Sequence, residues 1–169
     1  TTNGNLSISI TATDAAGNAA TFTNTAIIVA DNTAPAITTA TLTAPSATSI
    51  TYAGGAVQNI TWNNAQITDA NLATNPILIE YTVDDTNFTV IANNEANDGA
   101  YAWTLPSLNS QTVKVRVTAK DAVNNTSNDI SDNNFTIDST VPTVPANALT
   151  SPNGGEAWKQ GTARNITWN

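Results

Sequence analysis

The chain has 169 residues, with 13 acidic against 5 basic side chains for a net charge of −8, and it contains no Cys, His or Met. So acidic a chain is repelled by phosphate backbones, and nucleic acid is not expected as a partner. Without His or Cys there is no Ser-His-Asp triad, no Cys-His pair, no thiolate or imidazole zinc site and no disulfide framework.

In chain order, the predicted elements are all strands. NTAIIVA at residues 24–30 reads as a strand with an apolar face. A further strand is expected around residues 37–44, and Ile60 and Trp62 alternate with polar neighbours in NITW. Residues 77–83 place Ile77, Ile79, Tyr81 and Val83 on one face, and Asp84-Asp85-Thr86-Asn87 suits a hairpin turn before a strand beginning near Phe88. Tyr101, Trp103 and Leu105 alternate with Ala102 and Thr104. In QTVKVRVTAK, Val113, Val115 and Val117 alternate with Lys114, Arg116 and Thr118, the period of two of a half-buried strand. With a last strand around residues 134–138, about seven short strands fall in one unit, which predicts an all-β sandwich of Ig-like or fibronectin-III-like class. Its core is expected to hold Trp62, Ile79, Tyr81, Trp103, Val115 and Val117.

The chain also repeats itself. TATDAAGNA from Thr11 returns as TAKDAVNNT from Thr118, and DNTAP from Asp31 returns as DSTVP from Asp138, each 107 positions on. Pro45 and Pro152 share that offset, whereas the NITW ending at Trp62 returns at Trp168 after 106. These matches divide the chain into the C-terminal part of one repeat (residues 1–34), a complete repeat (35–141) and the N-terminal part of the next (142–169). A period near the size of a small domain predicts separate modules in tandem rather than a solenoid. A chain that opens at Thr1 inside a repeat is expected to be an excerpt of something longer, with its partial ends completed by other polypeptide.

SPNGGEAWKQGTARNITWN, with its GGE, W, G and ITW pattern, resembles the opening of the Ig-like modules of long prokaryotic surface proteins, and is similar to a Ser/Thr-rich yeast cell-wall family. IEYTVDDTNFTVIANNEANDGAYAWTLP and VRVTAKDAVNNTSN continue the resemblance through the middle repeat. Tyr52 departs from it where the next repeat has Trp158, and Asn124 where the previous one has Gly17. The resemblance implies an extracellular, cell-surface location and contacts with neighbouring modules or copies of the same protein.

No enzyme is expected. Gly54-Gly55 and Gly154-Gly155 lack the glycines and Lys of a phosphate cradle, and Asp84-Asp85 sits in a turn, where carboxylates are ordinarily solvated rather than catalytic. The recurring acidic pair is a sharper candidate: Asp14 and Asp31 are 17 apart, as are Asp121 and Asp138, and each pair ends beside the Pro that opens the next repeat. Asn18 and Asn125 follow the first Asp of each pair by four. Such oxygens suit Ca²⁺, which takes about six to eight of them, and the resemblance implies that calcium stiffens the links between modules. The candidate metal ligands are therefore Asp14, Asn18, Asp31, Asp121, Asn125 and Asp138. The same residue types also favour turns without any metal.

The expected function is structural: a subunit or stalk of an extracellular filament, surface layer or adhesin. The alternative is a carbohydrate- or ligand-binding accessory module of a secreted protein, which an exposed aromatic cluster on one face would favour.

Overall fold

The computed structural model describes residues 3–169. Thr1, Thr2 and the side chains of residues 26–29, which carry most of the apolar face expected of NTAIIVA, lie outside the described residues. The described residues are all-β apart from one short 3-10 turn at Asn64–Gln66. It divides into two units, Thr1–Ser139 and Thr140–Asn169.

The first unit opens with a long antiparallel hairpin of β1 (Gly4–Thr13) and β2 (Ala19–Ala30). Nine strands follow: β3 (Leu42–Ala44), β4 (Thr51–Ala53), β5 (Val57–Trp62), β6 (Leu72–Thr82), β7 (Phe88–Glu95), β8 (Ala100–Thr104), β9 (Ser110–Asp121), β10 (Thr126–Ile130) and β11 (Phe135–Asp138). They form one sheet in the order β4-β11-β9-β6-β7, with β10 also on β9, and a second in the order β3-β5-β8. β10 and β11 lie in succession along the same β9 neighbour, and among the described residues only the β4–β11 pairing is parallel. Asp84 closes the β6–β7 hairpin by accepting the N–H groups of Thr86 and Asn87 and the Asn87 amide, with Asp85 left-handed beside it (φ 59°).

Alternation sends Val113, Val115, Val117 and Ala119 of β9, with Ile77 and Ile79 of β6, into one buried cluster with Ile60 and Trp62 of β5 and Trp103 of β8. The two sheets thus share a core. Tyr81 is half-buried against it, its ring 5.3 Å from that of Trp103, which in turn meets Phe135 edge-on at 6.5 Å. Burial of this apolar surface is the main stabilising term. On the other face of the larger sheet, Arg116 donates Nε and Nη2 to Glu80 Oε2, its direct cross-strand partner, and lies over the Phe88 ring. The positive charge and the ring cover a carboxylate that is itself buried.

Gly54 and Gly55 make a turn between β4 and β5. A Cβ on Gly54 would collide with Ser139 Oγ, and Gly55 holds φ 79° while donating its N–H to Leu105 O. Close packing at the end of β11 explains this glycine pair without a ligand.

The sequence repeat is also a repeat of pairing. In the hairpin, Thr13↔Ala19, Ile10↔Phe22 and Leu6↔Ile28 are Cα partners; 107 residues on, Lys120↔Thr126, Val117↔Asp129 and Val113↔Phe135 are partners too. The second unit holds β12 (Leu149–Ser151) against β13 (Thr167–Trp168), with Leu149↔Trp168 and Ser151↔Thr167 matching Leu42↔Trp62 and Ala44↔Thr61 of the first. Even the hydroxyl contact recurs: Thr43 with Thr61 and Thr150 with Thr167, both at 2.7 Å. Burial does not recur. Trp62 is 4% exposed and Trp168 is 73% exposed, because among the described residues of the second unit nothing takes the place of β8.

Two substitutions break the symmetry. Ser49 is left-handed (φ 59°) where the second unit has Gly155 (φ 80°). Asp129 stands where the hairpin has Phe22. It is buried, and its Oδ2 accepts the Leu42 N–H at 2.7 Å, tying β10 to β3 with a side chain where no strand pairing exists.

Candidate metal centre

Asp31 follows β2, Asp69 lies in the loop before β6, and Asp121 ends β9. Their carboxylate oxygens lie within 4.8 Å of one another, and Asp121 is buried. Each is placed by local chemistry. Asp121 begins the β9–β10 turn: Oδ1 accepts the N–H groups of Val123 and Asn125, and Oδ2 accepts the Asn125 amide. An Asp followed four residues later by Asn closes the turn on itself, which fixes the carboxylate relative to β9. Asp69 Oδ1 accepts the Asn71 N–H at 2.6 Å. Asp31 Oδ2 accepts the Asn71 amide at 2.7 Å, while Oδ1 takes the Asn3 amide and the Thr33 N–H.

Amides from both sides of the junction therefore converge on Asp31. The Asn71 amide, then the Thr33 N–H and Asn3, hold its carboxyl below the usual carboxylate range. Two ion pairs occur among the described residues, Lys114–Asp85 and Arg116–Glu80, and neither includes one of the three carboxylates. A cleft of about 290 Å³ opens beside Asp31 and Asp69, bordered by Asn3, Thr33 and Thr68.

The segment after Asp31 is held along its length. The Asn125 amide donates to Asp31 O and Thr33 O, Ser127 Oγ donates to Pro35 O, and the Ala36 N–H donates to Thr68 O. Hairpin, linker and complete repeat thus meet at one place.

Of the six residues singled out by spacing, the structure brings together Asp31, Asp121 and Asn125. Asp14 and Asn18 form the same turn at the opposite end of the hairpin: Asp14 Oδ1 accepts the Ala16 and Asn18 N–H groups and Oδ2 the Asn18 amide. These bonds, the Asn18 amide first, hold the Asp14 carboxyl low. At about 3.3 Å per residue, some 30 Å of strand separate Asp14 from Asp31. Asp138 ends β11 beside Ser110, the end of β9 remote from Asp121. The 17-residue pairs are therefore not co-located; the second Asp of one pair, Asp31, meets the first Asp of the next pair, Asp121. Asp69 carried no signal, since a residue at that repeat position occurs once in the chain.

A set of three carboxylates suits a hard divalent cation better than a soft one. Asp31, Asp69 and Asp121 would supply the charge, and Asn71 and Asn125 hold them in place. No helix among the described residues is long and apolar enough to cross a membrane. No family model, curated protein or solved structure matches the chain.

Proposed function

We propose that the chain is a load-bearing piece of an extended extracellular array, a filament, surface layer or adhesin stalk, built from Ig-like β-sandwich modules in tandem. The observation that carries this reading is the repetition of strand register at 106–107-residue intervals, joined to a linker that side chains from both neighbouring repeats hold down. A flexible tether would leave residues 31–36 in water. Here Asn3, Asn71, Asn125 and Ser127 all bond to it.

On this reading Ca²⁺ bound by Asp31, Asp69 and Asp121 locks the joint. Three carboxylates so close repel one another, and a divalent ion turns that repulsion into attraction across the junction. The module itself does no chemistry; it fixes spacing and direction.

Electron microscopy of the native assembly, with an antibody raised to this chain, tests the proposal. Label repeating along a rod or lattice is expected. Label confined to isolated compact particles would overturn it.

A further inference from the structure

The β1–β2 hairpin leaves Leu6, Ile8, Ile10 and Phe22 exposed, Ile10 at 63% and Phe22 at 66%, and the β1 edge away from β2 is unpaired among the described residues. An apolar strand face in water with an open edge is a template for another strand.

The complete repeat shows what covers such a face. Leu6, Ile8, Ile10 and Ala12 correspond, 107 residues on, to Val113, Val115, Val117 and Ala119, all fully buried. There the free side of β9 is taken by β6, and the inward face is covered by β5 and β8. The register of β6 on β9 is fixed: Ile79↔Val117, Glu80↔Arg116 and Tyr81↔Val115.

We propose that β1 is the acceptor edge of a second module, receiving antiparallel a strand of the β6 pattern with Ile79 opposite Ile10, Glu80 opposite Ser9 and Tyr81 opposite Ile8. The proposal rests on the tandem-module reading. The occupant is polypeptide outside residues 1–169 that carries another set of strands of the β3-to-β8 kind. A second copy of the chain does not supply it, because its own β6 is already paired with β7 and β9 on both edges. Nor do β12 and β13, which match β3 and β5 alone.

The outward face is compatible with addition. Ser9 and Thr11 bond across the hairpin to Thr23 and Thr21, so a new neighbour meets small polar side chains and no like-charged row. Directly opposed strand positions bring Cα atoms within about 4.5–5.5 Å, inside disulfide range, and the chain has no Cys of its own.

The test adds a synthetic peptide of residues 72–95, the β6–β7 hairpin, to the intact chain. Saturable binding is expected, with amide exchange in residues 4–13 slowed about tenfold or more. With glutathione disulfide as oxidant, Ser9→Cys in the chain should crosslink to Glu80→Cys in the peptide, and Thr13→Cys should not. Ile10→Asp should abolish binding; should that variant fail to form the hairpin, the crosslink pattern still decides. No binding at millimolar peptide, crosslinking equal at positions 9 and 13, or burial of β1 by self-association of the chain would each overturn the proposal. These readouts are taken in solution and do not depend on the form of the native assembly, so the docking and array readings fail separately.

Discussion

Trp62 and Trp168 are the same residue at the same repeat position in the same strand register, yet one is buried between two sheets and the other is three-quarters exposed. Replacing each by Ala therefore isolates the contribution of burial. An indole buries roughly 200 Å², which at about 25 cal/mol/Å² is worth about 5 kcal/mol. Trp62 also loses its Nε1 hydrogen bond to Asn97 Oδ1 at 2.9 Å, about 1 kcal/mol. Partial collapse around the gap returns some of this, and a loss of about 4 kcal/mol is expected for Trp62→Ala, within the usual span for buried aromatics. Trp168→Ala should stay within about 0.5 kcal/mol, as for other surface changes. Urea unfolding followed by far-ultraviolet circular dichroism reads both; at a slope of about 1.5 kcal/mol/M the Trp62 midpoint should fall by about 2.5 M. Equal losses in the two variants, or less than about 1 kcal/mol for Trp62→Ala, would refute the two-sheet core described for the first unit.

Calorimetric titration should show Ca²⁺ uptake with a rise in melting temperature, lost in Asp69→Asn and Asp121→Asn and kept in Asp14→Asn, since Asp14 lies about 30 Å of strand from Asp31; no uptake at millimolar Ca²⁺ would end the metal proposal. Asp14 and Asp84 have folded pKa values below their unfolded ones, Asp84 far below because Asn87 and Thr86 donate to it. Their stabilisation is thus present above about pH 4 and lost as pH falls through the folded values, and NMR carboxyl titration giving Asp84 an ordinary pKa would contradict the hairpin geometry. Gly54→Ala should destabilise by about 1–3 kcal/mol through its collision with Ser139 Oγ, whereas an unchanged unfolding midpoint would mean that β11 does not pass so close.

β9 is legible in sequence because a β-branched residue every second position fits a half-buried strand, and its burial follows that alternation; β6 follows it at Ile77 and Ile79, but Glu80 and Thr82 on its other face are buried as well. The joint was half legible. Asp31 and Asp121 stand out because the repeat displays them twice, but spacing along the chain paired Asp14 with Asp31, when strand length holds those two apart and Asp31 instead meets Asp121 of the following repeat. Asp69 is invisible to any argument from repetition. Asp129 is invisible for another reason: an Asp in a strand reads as facing water, and the Leu42 N–H that it accepts lies 87 residues away in sequence. Trp168 shares the repeat position and register of Trp62; its exposure shows that an inward position needs an opposing sheet as well as a register.

The joint at Asp31 is lopsided. One carboxylate leaves the end of a repeat, and two carboxylates, from the loop before β6 and the end of β9, wait with their Asn71 and Asn125 amides at the spatial beginning of the next, the side its linker enters. Two ends brought together would face each other without those amides, and two beginnings would set four carboxylates together with no Asp31 for Asn71 to grip. On the proposed array reading, repeats linked in this way run in one sense only, so the array would be a vector whose two tips differ chemically, with growth, anchoring and capture at one tip distinguishable from those at the other.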